Sequence, residues 1–316
     1  MSPSILAPAP PTVAIELATR RVTVAALSAA SGRAAITAYA TEPLSADAIA
    51  PALTGVNIPD VAAVAGALRR ALDRAGLRST RRAGLIVPDT VARVTLLPFE
   101  QVPAKAAEVD QIVHWQIKKS TPFPLEEAQI SHFEVHADGA ARTLAAVVAR
   151  RDVVAQYEAV VEGAGIHAGL VDLASFNVMN ALLSAPGDRT ASDALVVCMA
   201  AEATTLAILR GRDLMFYRHR AVVDDEPLGA LVHQTAMYHE DRLGGGSFAH
   251  VWLCGTSLGE GTTEAQRQIA SRLGIAPETV DVRAAATLRD RIDASMGALD
   301  ALAAPVGLLL RDRRAA

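Results

Sequence analysis

The sequence predicts an α/β protein built of two lobes. Each half of the 316-residue chain opens with consecutive strands and continues with alternating helices and strands, although no residue-level repeat is present. Residues 184–192, S-A-P-G-D-R-T-A-S, lie between the halves and have the composition of a linker. Apolar residues make up 51% of the chain and charged residues 20%, which is typical of a globular protein with a sizeable core. We expect lobes at 12–187 and 188–316.

The first half follows a Pro- and Ala-rich segment, residues 1–11, which lacks the features of a signal peptide and is expected to form a flexible tail. β-Branched or alternating apolar residues predict strands at 12–17, 22–28, 34–41, 85–87, 91–97, 128–136, 143–149 and 169–173. Apolar residues at helical spacing predict helices at 60–75, 104–119 and 151–164, and one more that reaches about residue 183. Asp60 is the predicted N-cap of the first helix, which ends at Gly76.

The second half repeats this order after the linker. Strands are predicted at 194–199, 204–210, 213–219, 251–254 and 280–282. Helices are predicted at 228–243 and 264–273, with an amphipathic helix at the C-terminus. The triplet Gly244-Gly245-Gly246 forms a loop after the first of these helices.

Charge and hydropathy argue against two broad classes of function. The formal net charge of −4 gives no electrostatic basis for binding nucleic acid. No apolar run approaches the roughly 18 residues of a membrane-spanning helix, so we expect the chain to be peripheral to any membrane. Cys198 and Cys254 both lie in apolar runs. Two buried thiols in a chain of this length favour the cytoplasm over a secreted, disulfide-linked protein.

Four segments carry a more specific signal. They are Val87-Pro88-Asp89; the helix exit H-W-Q and the following T-P-F-P-L-E-E, which contain Trp115, Phe123 and Pro124; V-V-A-R-R-D with V-E-G-A-G at 147–165; and L-V-D-L at 170–173. In this order and spacing they resemble the PilM family of type IV pilus assembly proteins, relatives of FtsA in the actin-like ATPase superfamily. The resemblance runs from about residue 12 to the C-terminus.

This resemblance implies an actin-like (ASKHA) fold of two lobes, with a small inserted α+β subdomain at about 86–140 and a shortened second lid subdomain. It implies a cytoplasmic protein, held at the inner face of the inner membrane through a partner. In PilM-like proteins a groove at the inserted subdomain captures the cytoplasmic N-terminal peptide of a PilN-like membrane protein. Other partners would be further pilus or secretion platform proteins. The related GspL component of type II secretion is the alternative machine.

The residues expected to bind that peptide are Pro88, Trp115, Phe123 and Pro124. Aromatic residues in such a groove supply anchoring area. The alternative is that these residues only fix the inserted subdomain against the core.

The nucleotide-binding positions implied by the resemblance are altered here. The first phosphate loop, D-x-G-S in the family, is E-L-A-T, in which the alanine takes a left-handed conformation only at about 1–2 kcal/mol of strain. The second loop, D-x-G, is C-M-A, and a thiol is a poor ligand for Mg²⁺. The adenosine-side G-G is G-T. The vestigial positions are Glu16, Ala18, Cys198, Ala200, Thr204, Thr205, Gly255 and Thr256.

These changes predict a pseudo-ATPase that needs no cofactor. Each missing charged contact costs on the order of 1–3 kcal/mol. Three of them together weaken nucleotide binding by about 10²–10⁶-fold. The segment 220–243 is also much shorter than the second lid of the family. Two alternatives remain open: an ATPase or phosphotransferase that uses Mg·ATP, and a polymer-forming protein like FtsA.

Several other patterns have plain structural interpretations. Residues 255–259 match G-x-S-x-G after a strand, but no His follows Ser257, as the hydrolase triad requires, so a glycine-rich turn is favoured. His132 and His136 lack a third metal ligand, and H-E-D at 239–241 is interpreted as a solvated helix end. The arginine-rich run at 69–82 is interpreted as a solvated face, with contact to anionic lipid or an acidic partner as the alternative. The C-terminal L-L-L-R-D-R-R is expected to pack on the core.

Overall fold

The computed structural model describes residues 11–28, 34–186, 192–222, 227–255, 261–289, 292 and 295–311, so residues 1–10 of the predicted tail lie outside it. The strands are β1 Val13–Ala18, β2 Arg21–Ser28, β3 Ala35–Pro43, β4 Arg82–Val87, β5 Ala92–Phe99, β6 Ala128–Asp138, β7 Ala141–Arg150, β8 His167–Leu173, β9 Asp193–Met199, β10 Ala203–Arg210, β11 Asp213–Ala221, β12 His250–Cys254, β13 Glu278–Thr279 and β14 Thr287–Leu288. The helices are α1 Val61–Arg74, α2 Ala106–Ile117, α3 Arg151–Glu162, α4 Ala174–Ser184, α5 Leu228–Leu243, α6 Gly261–Leu273 and α7 Met296–Leu310.

The first sheet has the strand order β14-β3-β2-β1-β4-β8. β1, β2 and β3 form the predicted antiparallel meander, and β4 and β8 extend it in parallel. Helices α1 and α3 pack against it. Asp60 caps α1 as predicted, because its side chain accepts a 2.9 Å hydrogen bond from the Ala63 amide. β14 belongs to this sheet, although the sequence division places everything from residue 188 onward in the second lobe.

The second sheet, with the order β11-β10-β9-β12-β13, is covered on both faces. Residues of β9 alternate between two cores: Val196 packs into the large central core, whereas Leu195 and Val197 pack into a separate core with residues of α5 and α6. This period of two is what a strand buried on both sides requires. The duplicated order of elements in the sequence therefore corresponds to two separate sheets.

A small three-stranded antiparallel sheet, with the order β5-β7-β6, forms the inserted subdomain together with α2. Its core contains Val113 and Ile117 of α2 packed with Phe123 and with strand residues. β7 is the middle strand of this sheet. The subdomain therefore continues to Arg150, past the predicted limit near residue 140.

Helices α4 and α7 pack against each other in the central core. Every residue of α7 from 298 to 310 is buried, so the prediction of an amphipathic C-terminal helix is wrong. A helix enclosed on all sides has no polar face to present to solvent. Gly307 permits the close approach, because a Cβ at this position would lie 1.6 Å from the Asn177 carbonyl oxygen.

One other predicted element differs from the structure. A strand was expected at 280–282, whereas β13 ends at Thr279 and a 3₁₀ turn covers Val282–Ala284. The Asp281 side chain accepts a hydrogen bond from the Arg283 amide and so starts a helical turn there. In the described part of the chain, no helix is long and apolar enough to cross a membrane.

Candidate functional site

A cleft between the two lobes collects most of the vestigial nucleotide positions. Glu16 and Ala18 at the end of β1, Cys198 and Ala200 at the end of β9, and Gly255 after β12 all line it. These strands bring their ends together because β9 and β12 run parallel and in register. The cleft encloses about 90 Å³, compared with roughly 300–1,000 Å³ in sites that bind small molecules.

Of the remaining vestigial positions that the structure describes, Thr204 and Thr205, only Thr205 lines the cleft. Thr205 lines the cleft and is buried. Its neighbour Thr204 is also buried but is not among the lining residues, as expected for successive residues of one strand. Thr256, together with Ser257 and Gly259 of the G-x-S-x-G match, lies outside the described residues.

Glu16 has a protein cation as its counterion. Arg21 Nη2 lies 3.6 Å from Glu16 Oε2, and both side chains are largely buried. The tight hairpin between β1 and β2 brings them together, because Ala18 pairs with Arg21. Burial raises the pKa of Glu16, and the positive charge of Arg21 acts in the opposite direction. A metal ion bound at Glu16 would therefore have to share this carboxylate with Arg21.

The two loops that correspond to the phosphate loops touch each other. Thr19 Oγ1 donates a 2.7 Å hydrogen bond to Glu202 Oε2. Thr19 lies in the turn after β1, and Glu202 lies in the turn between β9 and β10. The contact joins the first lobe to the second across the cleft.

Asp89, in the V-P-D motif, is the centre of a buried polar network. Its carboxylate accepts hydrogen bonds from the Ser175 amide and the Ser175 hydroxyl, both at 3.0 Å. It also accepts a 2.8 Å hydrogen bond from Thr205 Oγ1, which belongs to the second sheet. Three donors, two from Ser175 and one from Thr205, therefore converge on this buried carboxylate and satisfy its oxygens.

Because Thr205 and Ser175 both donate their hydroxyl protons to Asp89, the donors of the next hydrogen bonds in the network can be assigned. Thr205 gives its proton to Asp89, so His219 Nδ1, at 2.9 Å, donates to the Thr205 oxygen. In a neutral ring, His219 Nε2 then accepts from Thr90 Oγ1 at 3.0 Å. Ser175 likewise gives its proton to Asp89, so Tyr217 donates to Ser175 at 3.0 Å. Burial raises the pKa of Tyr217, which keeps this phenol protonated.

The turn after β12 is held by a side chain of α7. The Gly255 amide donates a 2.8 Å hydrogen bond to Asp300 Oδ1. Gly255 has a φ of +80°, and a Cβ at this position would lie 1.8 Å from the Met199 carbonyl oxygen. Glycine is therefore required here by close packing against the end of β9. The backbone amide of this turn is already engaged within the chain.

The four residues predicted to bind a partner do not lie together. Pro88 is buried and lines the cleft, and Phe123 is buried in the core of the inserted subdomain. Trp115 is 72% exposed on α2, and Pro124 is exposed after Phe123. A Trp115 as exposed as this does not fix the subdomain against the core. Trp115 and Pro124 are available on the surface, whereas Phe123 belongs to the core of the inserted subdomain.

The burial of His239 contradicts one prediction made from the sequence. It is 1% exposed, so the prediction that residues 239–241 form a solvated helix end is wrong at this position. Its Nε2 lies 2.5 Å from Asp193 Oδ2, and Arg210 donates two further hydrogen bonds to the same carboxylate. Phe248 stacks on the imidazole ring. The helix end turns inward here because β9 offers the partly buried carboxylate of Asp193.

His132 and His136, the two histidines that lie four residues apart, each bind a different aspartate. His132 bonds Asp110 and His136 bonds Asp213, at 2.7 and 2.8 Å. An irregularity in the register of β6 between residues 134 and 136 separates the two rings. Each imidazole is therefore engaged by its own carboxylate.

Contacts within the chain account for much of the arginine-rich run at 69–82 and for the apolar part of the C-terminal run. Arg70 and Arg74 both bind Glu42, and Arg78 binds Asp73. Residues 308–310 are buried, which confirms core packing for the apolar part of the C-terminal run. Residues 312–314 of that run lie outside the described residues.

Polar cleft residues that the sequence does not single out include Arg21, Ser175, His219 and Asp300. Tyr217 joins them through its hydrogen bond to Ser175. The short hairpin from β1 to β2 was a usable signal for Arg21, because it places that residue opposite the end of β1. The others come from α4, β11 and α7, which meet only in the folded chain.

Comparisons with known proteins concern the family and the fold. A family model described as type IV pilus assembly protein PilM matches residues 14–239. The solved structure titled "PilM-PilN type IV pilus biogenesis complex" superposes with a TM-score of 0.79 at 17% identity, covering 96% of this chain and 99% of that chain. A Bacteroides thetaiotaomicron protein with an actin-like ATPase fold and unknown function has a TM-score of 0.51 at 8% identity, covering 94% of this chain and 95% of that chain. These two structures confirm the predicted actin-like fold.

A further solved structure is less similar to the chain. The cytoplasmic domain of EpsL, an inner membrane component of the type II secretion system of Vibrio cholerae, has a TM-score of 0.46 at 8% identity, covering 96% of this chain and 94% of that chain. The search of curated proteins returned no match.

Proposed function

The chain belongs to the PilM family of type IV pilus assembly proteins, and on that basis we propose that it is a non-catalytic scaffold of the inner-membrane platform of a type IV pilus machine. It binds the cytoplasmic N-terminal peptide of a PilN-like membrane protein, and this partner holds it at the inner face of the membrane. The observation that carries the non-catalytic assignment is the direct contact between the two former phosphate loops, Thr19 with Glu202.

The electrostatics of the cleft also oppose nucleotide binding. Phosphate groups entering it would meet the carboxylates of Glu16, Glu202 and Asp300. The nearest buried cation, Arg21, already pairs with Glu16. The second acidic position is Cys198, whose sulfur is a poor Mg²⁺ ligand. Binding Mg·ATP would require the chain to break the Thr19–Glu202 hydrogen bond and to share the Glu16 carboxylate between Arg21 and the metal ion.

The inserted subdomain provides the surface proposed for the partner. Trp115 lies on the outer side of α2, while Val113 and Ile117 of the same helix are buried beneath it. A large exposed aromatic residue on a packed helix is a typical anchor for a bound segment. Pro124 follows Phe123, whose burial holds the helix exit in place. Pro88 lies in the cleft instead, and its part in partner binding stays a prediction.

The type II secretion reading is less well supported. The family model describes a pilus assembly protein and covers residues 14–239. A chain in the solved structure of a PilM–PilN complex has the same fold as this chain. We therefore assign the peptide to a PilN-like protein and expect the remaining platform partners to belong to the pilus machine.

Titration calorimetry with a synthetic peptide tests the partner assignment. The peptide reproduces the N-terminal cytoplasmic segment of the PilN-like protein encoded by the same genome. We expect Trp115→Ala to weaken binding about 30-fold, since anchor residues contribute about 2 kcal/mol or more. Met237→Ala is the matched control, because Met237 is a 50% exposed apolar residue on α5.

Two outcomes contradict the assignment. Equal affinity of the wild type and the Trp115→Ala protein would remove α2 from the binding surface. Failure of the folded wild-type protein to bind the peptide would reject the partner itself.

A further inference from the structure

Two thiols lie side by side at the edge of the cleft. Cys198 near the end of β9 and Cys254 at the end of β12 are direct partners in the register of this parallel pair. Neighbouring strands lie about 4.8 Å apart. This spacing falls within the roughly 4.4–6.8 Å between Cα atoms that a disulfide spans. Both cysteines are free thiols in the structure.

Both side chains face the same side of the second sheet. Trp252 and Cys254 belong to the central core, whereas Leu253 between them belongs to the core of the second lobe. Cys198 also packs against the central core. The Cys198 side chain is within hydrogen-bonding reach of Cys254, and this contact together with burial raises the pKa of the Cys254 thiol.

The two thiols differ in access to solvent. Cys198 is partly exposed and Cys254 is buried, and both line the cleft. A small oxidant entering the cleft therefore meets Cys198 first. The surrounding backbone is held in place, because Gly255 packs against the Met199 carbonyl and donates to Asp300. The register itself places the two Cα atoms at a spacing that a disulfide spans.

We propose that Cys198 and Cys254 are a reversible thiol modification site, closed to a disulfide by hydroperoxides and reopened by cellular thiols. The Cys198 thiolate attacks the terminal oxygen of the hydroperoxide, so that an S–O bond forms and the O–O bond breaks. The other oxygen leaves as alkoxide, or as hydroxide from hydrogen peroxide, and takes up the proton that Cys198 released, while Cys198 becomes a sulfenic acid. The Cys254 sulfur then attacks the Cys198 sulfur, the S–S bond forms, the S–O bond breaks, and the sulfenic oxygen leaves as water with the Cys254 proton. The two thiols lose two electrons in total, and the hydroperoxide gains them.

The disulfide would join the ends of β9 and β12 covalently in the wall of the cleft. Reversible disulfides of this kind occur in reducing compartments as redox sensors. The chemistry depends on strand register alone, so it is independent of the proposed peptide binding. Loss of one would leave the other intact.

Peptide mapping of the oxidised protein tests the proposal. The full-length chain is treated with hydrogen peroxide while folded, then denatured, alkylated and digested. We expect a cross-linked peptide pair containing Cys198 and Cys254, lighter by two hydrogens than the separate thiol peptides. Dithiothreitol should return both cysteines to the alkylated form. The same treatment of the urea-unfolded chain is the matched control, and cross-linking should be at least about tenfold slower there because the register is lost.

Three results would overturn the proposal. Both cysteines could stay fully alkylatable after oxidation, or Cys198 alone could proceed to sulfinic acid. Equal rates in the folded and unfolded chains would show that the strand pairing plays no part. The Cys254→Ser variant checks the order of events: Cys198 should then be trapped as a sulfenic acid by dimedone, and absence of the adduct in the folded variant would contradict the assigned first step.

Discussion

Thr205 Oγ1 donates a 2.8 Å hydrogen bond to Asp89 Oδ2, joining residues that are 116 positions apart and belong to different lobes. The same carboxylate accepts from the amide and hydroxyl of Ser175 at the start of α4. Asp89 thus binds a strand of the second sheet to a helix of the central core. The lobes are held across the cleft by side chains of the chain itself.

Replacing Thr205 by Val should destabilise the protein by about 1–3 kcal/mol, because Asp89 and His219 each lose a buried partner. Thr204→Val is the matched control, since Thr204 is the neighbouring buried threonine of β10 outside the cleft. It should change stability by less than about 0.5 kcal/mol. Urea unfolding measures both. Similar losses in the two variants would mean that the Asp89 network contributes nothing specific.

The Glu16–Arg21 pair should behave as a unit. Arg21→Met leaves a buried carboxylate without its counterion and should cost about 3–5 kcal/mol. Adding Glu16→Gln removes that uncompensated charge and should recover part of the loss. A double-mutant cycle from denaturant unfolding gives the coupling energy. A double variant less stable than Arg21→Met alone would argue against an interacting pair.

The lowered pKa of Asp193 predicts that the free energy of unfolding falls in acid. Hydrogen bonds from Arg210 lower the pKa of Asp193, and His239 adds to the effect. The unfolded chain therefore binds a proton at this group at a higher pH than the folded chain does. The stabilisation is present above about pH 4 and is lost as the pH falls through the folded value.

Asp193→Asn should accordingly flatten the decline in unfolding free energy over that acidic range, and should cost about 1–3 kcal/mol at neutral pH. Denaturant unfolding over a pH series from neutral to about 3 measures this slope. Asp110→Asn, at a more exposed carboxylate on α2, is the control. An unchanged slope for Asp193→Asn would show that the acid response arises elsewhere.

The packing of α7 against α4 gives a contrast within one helix. Gly307→Ala places a Cβ against the Asn177 carbonyl oxygen and should destabilise the chain by about 1–3 kcal/mol or more. Gly297→Ala meets no atom within 4 Å and should be neutral or slightly stabilising, because Ala is the better helix former. Thermal unfolding compares the two. Equal midpoints would contradict the close approach of these helices.

Local patterns predicted the elements of this fold well. Asp60 as an N-cap and the alternation in β9 depend on neighbouring residues, and both are found in the structure. Patterns of this kind failed for α7, because a helix buried by distant segments carries no periodic polar face to read. They failed again at His239, whose acidic sequence neighbours suggested solvent while its partner, Asp193, lies on a distant strand.

The candidate site was only half predictable. Changes at Glu16, Ala18, Cys198 and Ala200 were visible against a family pattern, and these residues meet in the cleft. The residues that now close the cleft, Thr19 with Glu202 and Asp89 with Thr205, are paired over long sequence distances. Such pairs become apparent only when the topology brings β1, β10 and the V-P-D turn together.

The most direct test of the scaffold account is titration calorimetry of the purified protein with Mg·ATP. The account predicts no heat of binding at about millimolar nucleotide, where an intact micromolar site would be saturated. A dissociation constant in the micromolar range would contradict it. That result would show that the Thr19–Glu202 contact opens and that Glu16 and the loop backbone suffice to hold the nucleotide.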